Sequence, residues 1–257
     1  MRVKFAIMCR LLGYAASADT TFAEIVGEGF ENFVAMSDEH KHGWGITSID
    51  KNGEVSRTVD LERAVASSTF QDVKDRPADS GLLHLRLASK GLTIDIKNNH
   101  PFVDGTYSFM HNGTIRPAAS VEAFIDPEFA NRAQGSTDSE RYFYVILSEI
   151  KKHGLVDGLR SAVTKISDNC DFSSINCMLL TPDYLIAACE FNAGDQTEWT
   201  VNSHYELRYR NDENGVVISS TGWGHDDWSV LANHQVLVVD RKSLNTEILP
   251  LPLRLGA

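Results

Sequence analysis

Short apolar or alternating runs recur along the chain and set its organisation. "CRLLGY" (9–14), "GWGITSI" (43–49), "GLLHLRLA" (81–88), "YSFMHNG" (107–113), "NCMLLT" (176–181), "YLIAACEF" (184–191), "YELRYR" (205–210), "GVVISS" (215–220) and "HQVLVVD" (234–240) predict strands. Between them, apolar residues return at helical spacing over Thr21 to Met36, over Thr137 to His153 and through "LVDGLRSAVTKI" (155–166). The helix at Thr137 opens "TDSE", where Thr137 and Glu140 form a capping-box pattern ahead of the apolar "YFYVIL". "DENG" (212–215) predicts a hairpin turn with Asn-Gly at its tip. Many short strands imply antiparallel sheets. With no repeat, low-complexity tract or Pro/Gly/Ser linker, one continuous α+β domain is the simplest organisation.

Composition narrows the function more than the fold. The 257 residues are 42% hydrophobic and 23% charged, an ordinary globular balance with material for a sizeable core. A formal net charge of -11 argues against nucleic acid or an anionic membrane as main partner and favours a small polar substrate. Cys9, Cys170, Cys177 and Cys189 form neither a C-x-x-C pair nor a dense disulfide framework, so a reduced, cytoplasmic protein is expected. "MRVKFAI" at the start has no apolar run long enough for a signal peptide, and no later segment approaches a membrane span.

The candidate chemistry lies where predicted strands end, in "HKHGWGI", "HLRLASKG", "NNHPF" and "FMHNGTI", and in "GSTDSE" at the capped helix. Each piece has a structural explanation. Cys9 alone reads as a small buried hydrophobe, "HNG" as a turn, "HPF" as a loop, and Asp138 as a favourable charge at a helix start. His40 and His42, at alternating positions of a strand, would face one side and raise a metal site with His84, His100 or His111. No cysteine or carboxylate joins them at usual zinc spacing, so no metal is assigned. "TGWGHDDW" is expected to pack a loop on the core through Trp223 and Trp228.

Taken together and in order, "MCRLLGY", "HKHGWGI", "NNHPF" and "HNG" resemble the glutaminase domain of the class II glutamine amidotransferases, members of the N-terminal nucleophile hydrolases. They look most like the branch of stand-alone proteins that includes the γ-glutamyl amidohydrolase of ergothioneine biosynthesis. The motifs run from Met8 to about Glu140, and beyond that only strand patterning supports the likeness. The resemblance implies a four-layer α-β-β-α sandwich of two stacked antiparallel sheets, the N-terminal nucleophile hydrolase fold. It also implies hydrolysis of the γ-amide of glutamine or a γ-glutamyl compound through a cysteine thioester, without a cofactor.

By that resemblance Cys9 is the nucleophile, and its own α-amine is the base. Asn112 and Gly113 match the oxyanion hole, Arg86 the arginine that grips the α-carboxylate, and Asp138 the carboxylate that receives the α-ammonium. Ser89 stands in the place of a small hydroxyl residue near the substrate, while Asn98 and His100 shape a supporting loop. The partners implied are glutamine or a γ-glutamyl small molecule and an ammonia-accepting synthase. Since the chain ends without a second catalytic domain, a larger γ-glutamyl amide is the expected substrate.

Two departures stand against the pattern. Residues 1–8 precede the nucleophile, so the active form is expected to span 9–257, with Met8 as the native start or the extension cleaved. The related branch reads H-x-D-G-W-G, whereas this chain carries His42 at the aspartate position. If Cys9 is never freed, the alternative is a catalytically silent binding protein of the same fold; a metal-dependent hydrolase using the histidines is the third reading.

Overall fold

A computed structural model describes residues 9–50, 52–88, 93–194, 205–221 and 227–252. In chain order its elements begin with β1 (Arg10–Thr20), α1 (Phe22–Val26), α2 (Gly29–Ala35), β2 (Trp44–Ile49), β3 (Val55–Asp60), α3 (Ser68–Val73) and β4 (Ala78–Leu85). Then come β5 (Phe102–Asp104), β6 (Tyr107–Arg116), α4 (Asp138–His153), α5 (Leu155–Asn169), β7 (Asp171–Leu180) and β8 (Tyr184–Cys189). The chain closes with β9 (Leu207–Asp212), β10 (Gly215–Ser219), β11 (Ser229–Leu231), β12 (Gln235–Asp240) and β13 (Thr246–Pro250). One sheet has the order β11-β9-β10-β1-β4-β2-β3, the other β13-β12-β8-β7-β6-β5, and all neighbours pair antiparallel.

Three apolar cores separate four layers. Alternation along β1 sends Leu12, Tyr14 and Ala16 into a core with Phe22 and Phe30 of the first helices, and Leu11 and Ala15 into the core between the sheets. On the far side, α4 and α5 bury Tyr142, Phe143, Ile146, Leu159 and Val163 against β6, β7 and β8. This is the α-β-β-α sandwich expected. Thr47 and Ser108 bridge the sheets at 2.6 Å. Arg241 donates to the Thr181 and Pro182 carbonyls on one side and to Ile49 and Asp79 on the other. No helix of the described residues is long and apolar enough to cross a membrane.

The structure departs from the local expectations at three points. The helix expected from Thr21 to Met36 breaks in two, because Gly27 (φ 75°) ends α1 in a conformation that only glycine adopts freely. The reciprocal capping box sits at Thr21 and Glu24. At α4, Thr137 does cap the Glu140 N–H, but the Glu140 carboxylate turns away to accept the N–H groups of Gln134 and Gly135 at 2.9 and 2.7 Å. The "DENG" hairpin turns at Glu213–Asn214, since Gly215 already pairs with Asp212. A side chain at Gly215 would collide with the Ala15 carbonyl on β1.

Candidate active site

Antiparallel pairing of Arg10 with Leu85, and of Trp44 with Leu85, gathers the start of β1, the end of β4 and the start of β2 at one end of the first sheet. Cys9, half-buried, lies there beside Leu87. Its Sγ accepts the Leu87 N–H at 3.3 Å and stands 3.4 Å from the Leu87 carbonyl. Burial pushes the thiol pKa up, opposed by the Leu87 N–H and the charges of Arg86 and Arg10, while Asp138 is close enough to raise it further. A thiol held in its protonated form needs a base to react at neutral pH.

Arg86 is buried at the end of the same strand, where desolvation lowers its pKa. Its Nη1 donates to Asn99 Oδ1 at 2.9 Å, and longer contacts reach the Asp95 and Thr93 carbonyls. Asn99 is fixed in turn by donating to the Asp60 carbonyl at 2.8 Å and by accepting Arg57 on its own carbonyl at 2.9 Å. Sequence reasoning missed Asn99 and Arg57; the doubled asparagine of "NNHPF" was the available signal. Asn98 does not meet the arginine. It accepts the Ser136 N–H at 2.9 Å and donates to the Thr93 carbonyl at 3.2 Å, clipping the loop around Arg86 to the start of α4.

His42 extends the β2–β4 ladder, its N–H donating to the Arg86 carbonyl at 3.1 Å. Its Nδ1 accepts the Ala88 N–H at 2.9 Å, which puts the ring proton on Nε2. Burial, then Lys41 and Arg86, lower its pKa. With Nδ1 occupied and Nε2 protonated, this ring is not set to receive a proton from Cys9.

On the second sheet, Asn112 is buried on β6, and neither atom of its amide has a hydrogen-bond partner among the described residues. Gly113 (φ 151°) lies so close to β7 that a Cβ would run into the Ser174 carbonyl, so only glycine fits. Beyond it the register shifts: Gly113 faces Ile175 but Ile115 faces Phe172, so Ser173 and Ser174 oppose Thr114 in a β-bulge. The Ile115 N–H goes to Asp138 Oδ2 at 2.6 Å, which ties the first residue of α4 to this strand. Cys9, Arg86, Asn98 and Asp138 thus converge, with Asn112 and Gly113 on the facing sheet. Ser89 lies outside the described residues, as do residues 1–8 and Trp223.

His84 and His100 are buried together, ring centroids 4.3 Å apart, and among the described residues none of their four ring nitrogens has a hydrogen-bond partner. Burial, reinforced by neighbouring histidines and Arg86, holds both pKa values far below the usual range. The unfolded chain takes up these protons near pH 6.5 while the folded one does not. Their contribution to stability is therefore whole above about pH 6.5 and is lost as pH falls below it, by up to about 1.4 kcal/mol per pH unit per histidine. Urea unfolding at pH 7.5, 6.5 and 5.5 checks this, and a His100→Phe variant should show a shallower slope. An unchanged slope would remove the pair as the cause.

His40 and His42 do not share a strand face, because β2 begins only at Trp44; His40 Nδ1 turns instead to the Met36 carbonyl at 2.7 Å. Among the described residues no cluster of three His, Cys, Asp or Glu side chains is set to hold a metal ion. Trp228 packs into the core under α1 and α2, with the Arg210 guanidinium 5.7 Å above its ring.

A family model described as "Glutamine amidotransferases class-II" matches residues 8–241. An amidophosphoribosyltransferase of Saccharomyces cerevisiae is 22% identical over 148 residues, which is 57% of this chain and 29% of that protein. A glutamine–fructose-6-phosphate aminotransferase (isomerizing) of Aliivibrio fischeri is 23% identical over 160 residues, 62% of this chain and 25% of that protein. The chain thus spans between a quarter and a third of the length of these relatives. A solved glutamine aminotransferase class-II domain protein of Silicibacter pomeroyi superposes with a TM-score of 0.67 at 18% identity, covering 95% of this chain and 100% of that one.

Proposed function

The chain belongs to the class II glutamine amidotransferases, and on that premise we propose that it hydrolyses the γ-amide of glutamine or of a γ-glutamyl compound, with Cys9 as nucleophile. The observation that carries this reading is the Asn112 amide, buried and without a partner among the described residues, beside a glycine that lets backbone come close. Leaving such an amide unmatched costs about 1–3 kcal/mol, a cost a site offsets when an oxyanion forms against it.

In this reading residues 1–8 are absent and the Cys9 α-amine takes the thiol proton, a task open to α-amines because they ordinarily titrate at about 7.7 to 8.0. Sulfur attacks the γ-carbonyl carbon, and charge moves to its oxygen. Asn112 donates its side-chain amide to that oxygen and Gly113 its backbone N–H. Collapse expels ammonia or an amine, protonated by the α-ammonium, and leaves a γ-glutamyl thioester. Water, deprotonated by the same amine, then cleaves the thioester to release the γ-carboxylate and restore the thiol. Arg86 binds the α-carboxylate in place of its long contacts to Thr93 and Asp95, and Asp138 binds the α-ammonium. Ser89 is assigned to substrate binding through its hydroxyl, and Asn98 and His100 to support of the loop. Ammonia freed from glutamine would pass to an accepting synthase. No step calls for a cofactor.

The test is steady-state hydrolysis of glutamine and a panel of γ-glutamyl amines by protein beginning at Cys9. Arg86→Lys replaces a planar fork by a point charge, so KM should rise about 10- to 100-fold while the fold survives. Absence of turnover across the panel, with ligand still bound, would favour the silent binder; an unchanged KM in Arg86→Lys would take that residue out of the site.

A further inference from the structure

We propose that His111, which the chemistry above does not use, is a positioning residue that holds the β6–β7 bulge in the shape the oxyanion hole requires. The inference rests on the assignment of Asn112 and Gly113 just made. His111 precedes them on β6, and alternation turns it to the face opposite Asn112, where its ring meets Tyr142 of α4 edge-on with centroids 5.4 Å apart.

The bulge disturbs the ladder at two polar groups. On β7 the Ser174 carbonyl receives His111 Nε2 at 3.2 Å. On β6 the Ile115 N–H is taken by Asp138 Oδ2 at 2.6 Å. A carbonyl can only accept, so Nε2 carries the ring proton and the neutral ring's Nδ1 accepts from the Ser139 hydroxyl at 2.9 Å. Side chains thus complete both strands of the irregular ladder, and Ser139 adjoins Asp138 in the first turn of α4.

The consequence falls on Gly113. The carbonyl that His111 holds is the group a Gly113 Cβ would strike, so the imidazole fixes the spacing between Ser174 and the backbone that donates to the oxyanion. Through Ser139 the same ring sets the bulge relative to the helix start that carries Asp138. His111 acts on where the amide carbon and the α-ammonium sit with respect to each other, without touching either. Errors of about 1 Å in such placement can cost about 100-fold in rate.

The test compares His111→Phe, which keeps ring volume and removes both polar contacts, with His111→Gln, which can still donate to Ser174. In His111→Phe, amide exchange at Ile115, whose N–H goes to Asp138, and at Asn176, whose N–H goes to the Ser174 hydroxyl, should quicken at least about 10-fold beyond what any change in global unfolding by urea accounts for. In wild-type protein, nitrogen NMR should find the ring neutral with its proton on Nε2. For hydrolysis, kcat should fall about 100-fold in His111→Phe with KM for the γ-glutamyl substrate nearly constant, and His111→Gln should regain at least about 10-fold. Unaltered local exchange, or a ring with its proton on Nδ1, would overturn the proposal, as would wild-type kcat in folded His111→Phe. Should His111→Phe fail to fold, Ser139→Ala, which removes only the hydroxyl, carries the same exchange test. An inactive wild-type protein would overturn the proposed reaction instead, and the exchange and NMR results would still decide the role of His111.

Discussion

Cys9→Ala is expected to abolish hydrolysis, by on the order of 10⁴- to 10⁶-fold in kcat, while the melting temperature stays close to wild type. The side chain is half-buried and small, and among the described residues its hydrogen-bonding contacts are with Leu87, so little packing is lost. A form that keeps residues 1–8 should be as inactive, though its thiol is intact. Burial already holds the Cys9 thiol protonated, and an amide nitrogen in place of the α-amine cannot accept its proton near pH 7. The nearest imidazole by sequence motif, His42, has its accepting nitrogen occupied by Ala88. N-terminal sequencing of protein from its native source should read Cys-Arg-Leu-Leu, because methionine removal needs a small following residue, which Met8 has and Met1 lacks. Native protein that begins at Met1 and still turns over would overturn the mechanism.

Asn112→Leu should separate stability from catalysis by moving them in opposite directions. Leucine has nearly the shape of asparagine and no polar atoms, so replacing a buried amide that has no partner among the described residues should leave the melting temperature unchanged or raise it. The same change removes an oxyanion donor and should lower kcat about 10²- to 10³-fold, with KM much less affected. Calorimetry and steady-state kinetics on one preparation check both signs. A large loss of stability would mean that the amide is a structural group, and the oxyanion assignment would fall with it.

The sheets were legible because alternation exposes itself in a one-dimensional pattern: each of the nine strand runs read from the sequence lies on a strand of the structure. The strands it concealed, β3, β5, β11 and β13, are short or exposed, so burial imposes no apolar alternation on them. The break at Gly27 was hidden because the apolar spacing of Thr21 to Met36 continues across it. Local chemistry was misplaced where a distant group competed: the Glu140 carboxylate had two loop N–H groups to accept, so its reach back to Thr137 was not made.

By itself, the sequence determined which residue types stand at strand ends and in what order, and hence the family and the candidates Cys9, Arg86, Asn112, Gly113 and Asp138. Those are properties of the chain's own order and need no neighbour. Only the tertiary structure decided that Asn99, not Asn98, meets Arg86, and that Asn112 has no partner among the described residues. It also decided that His42 is turned to Ala88 and that His111 completes a bulge. Hydrogen bonds of this kind join residues far apart in sequence, and their existence depends on differences of an ångström in how two sheets and a helix come to rest, which no local pattern encodes.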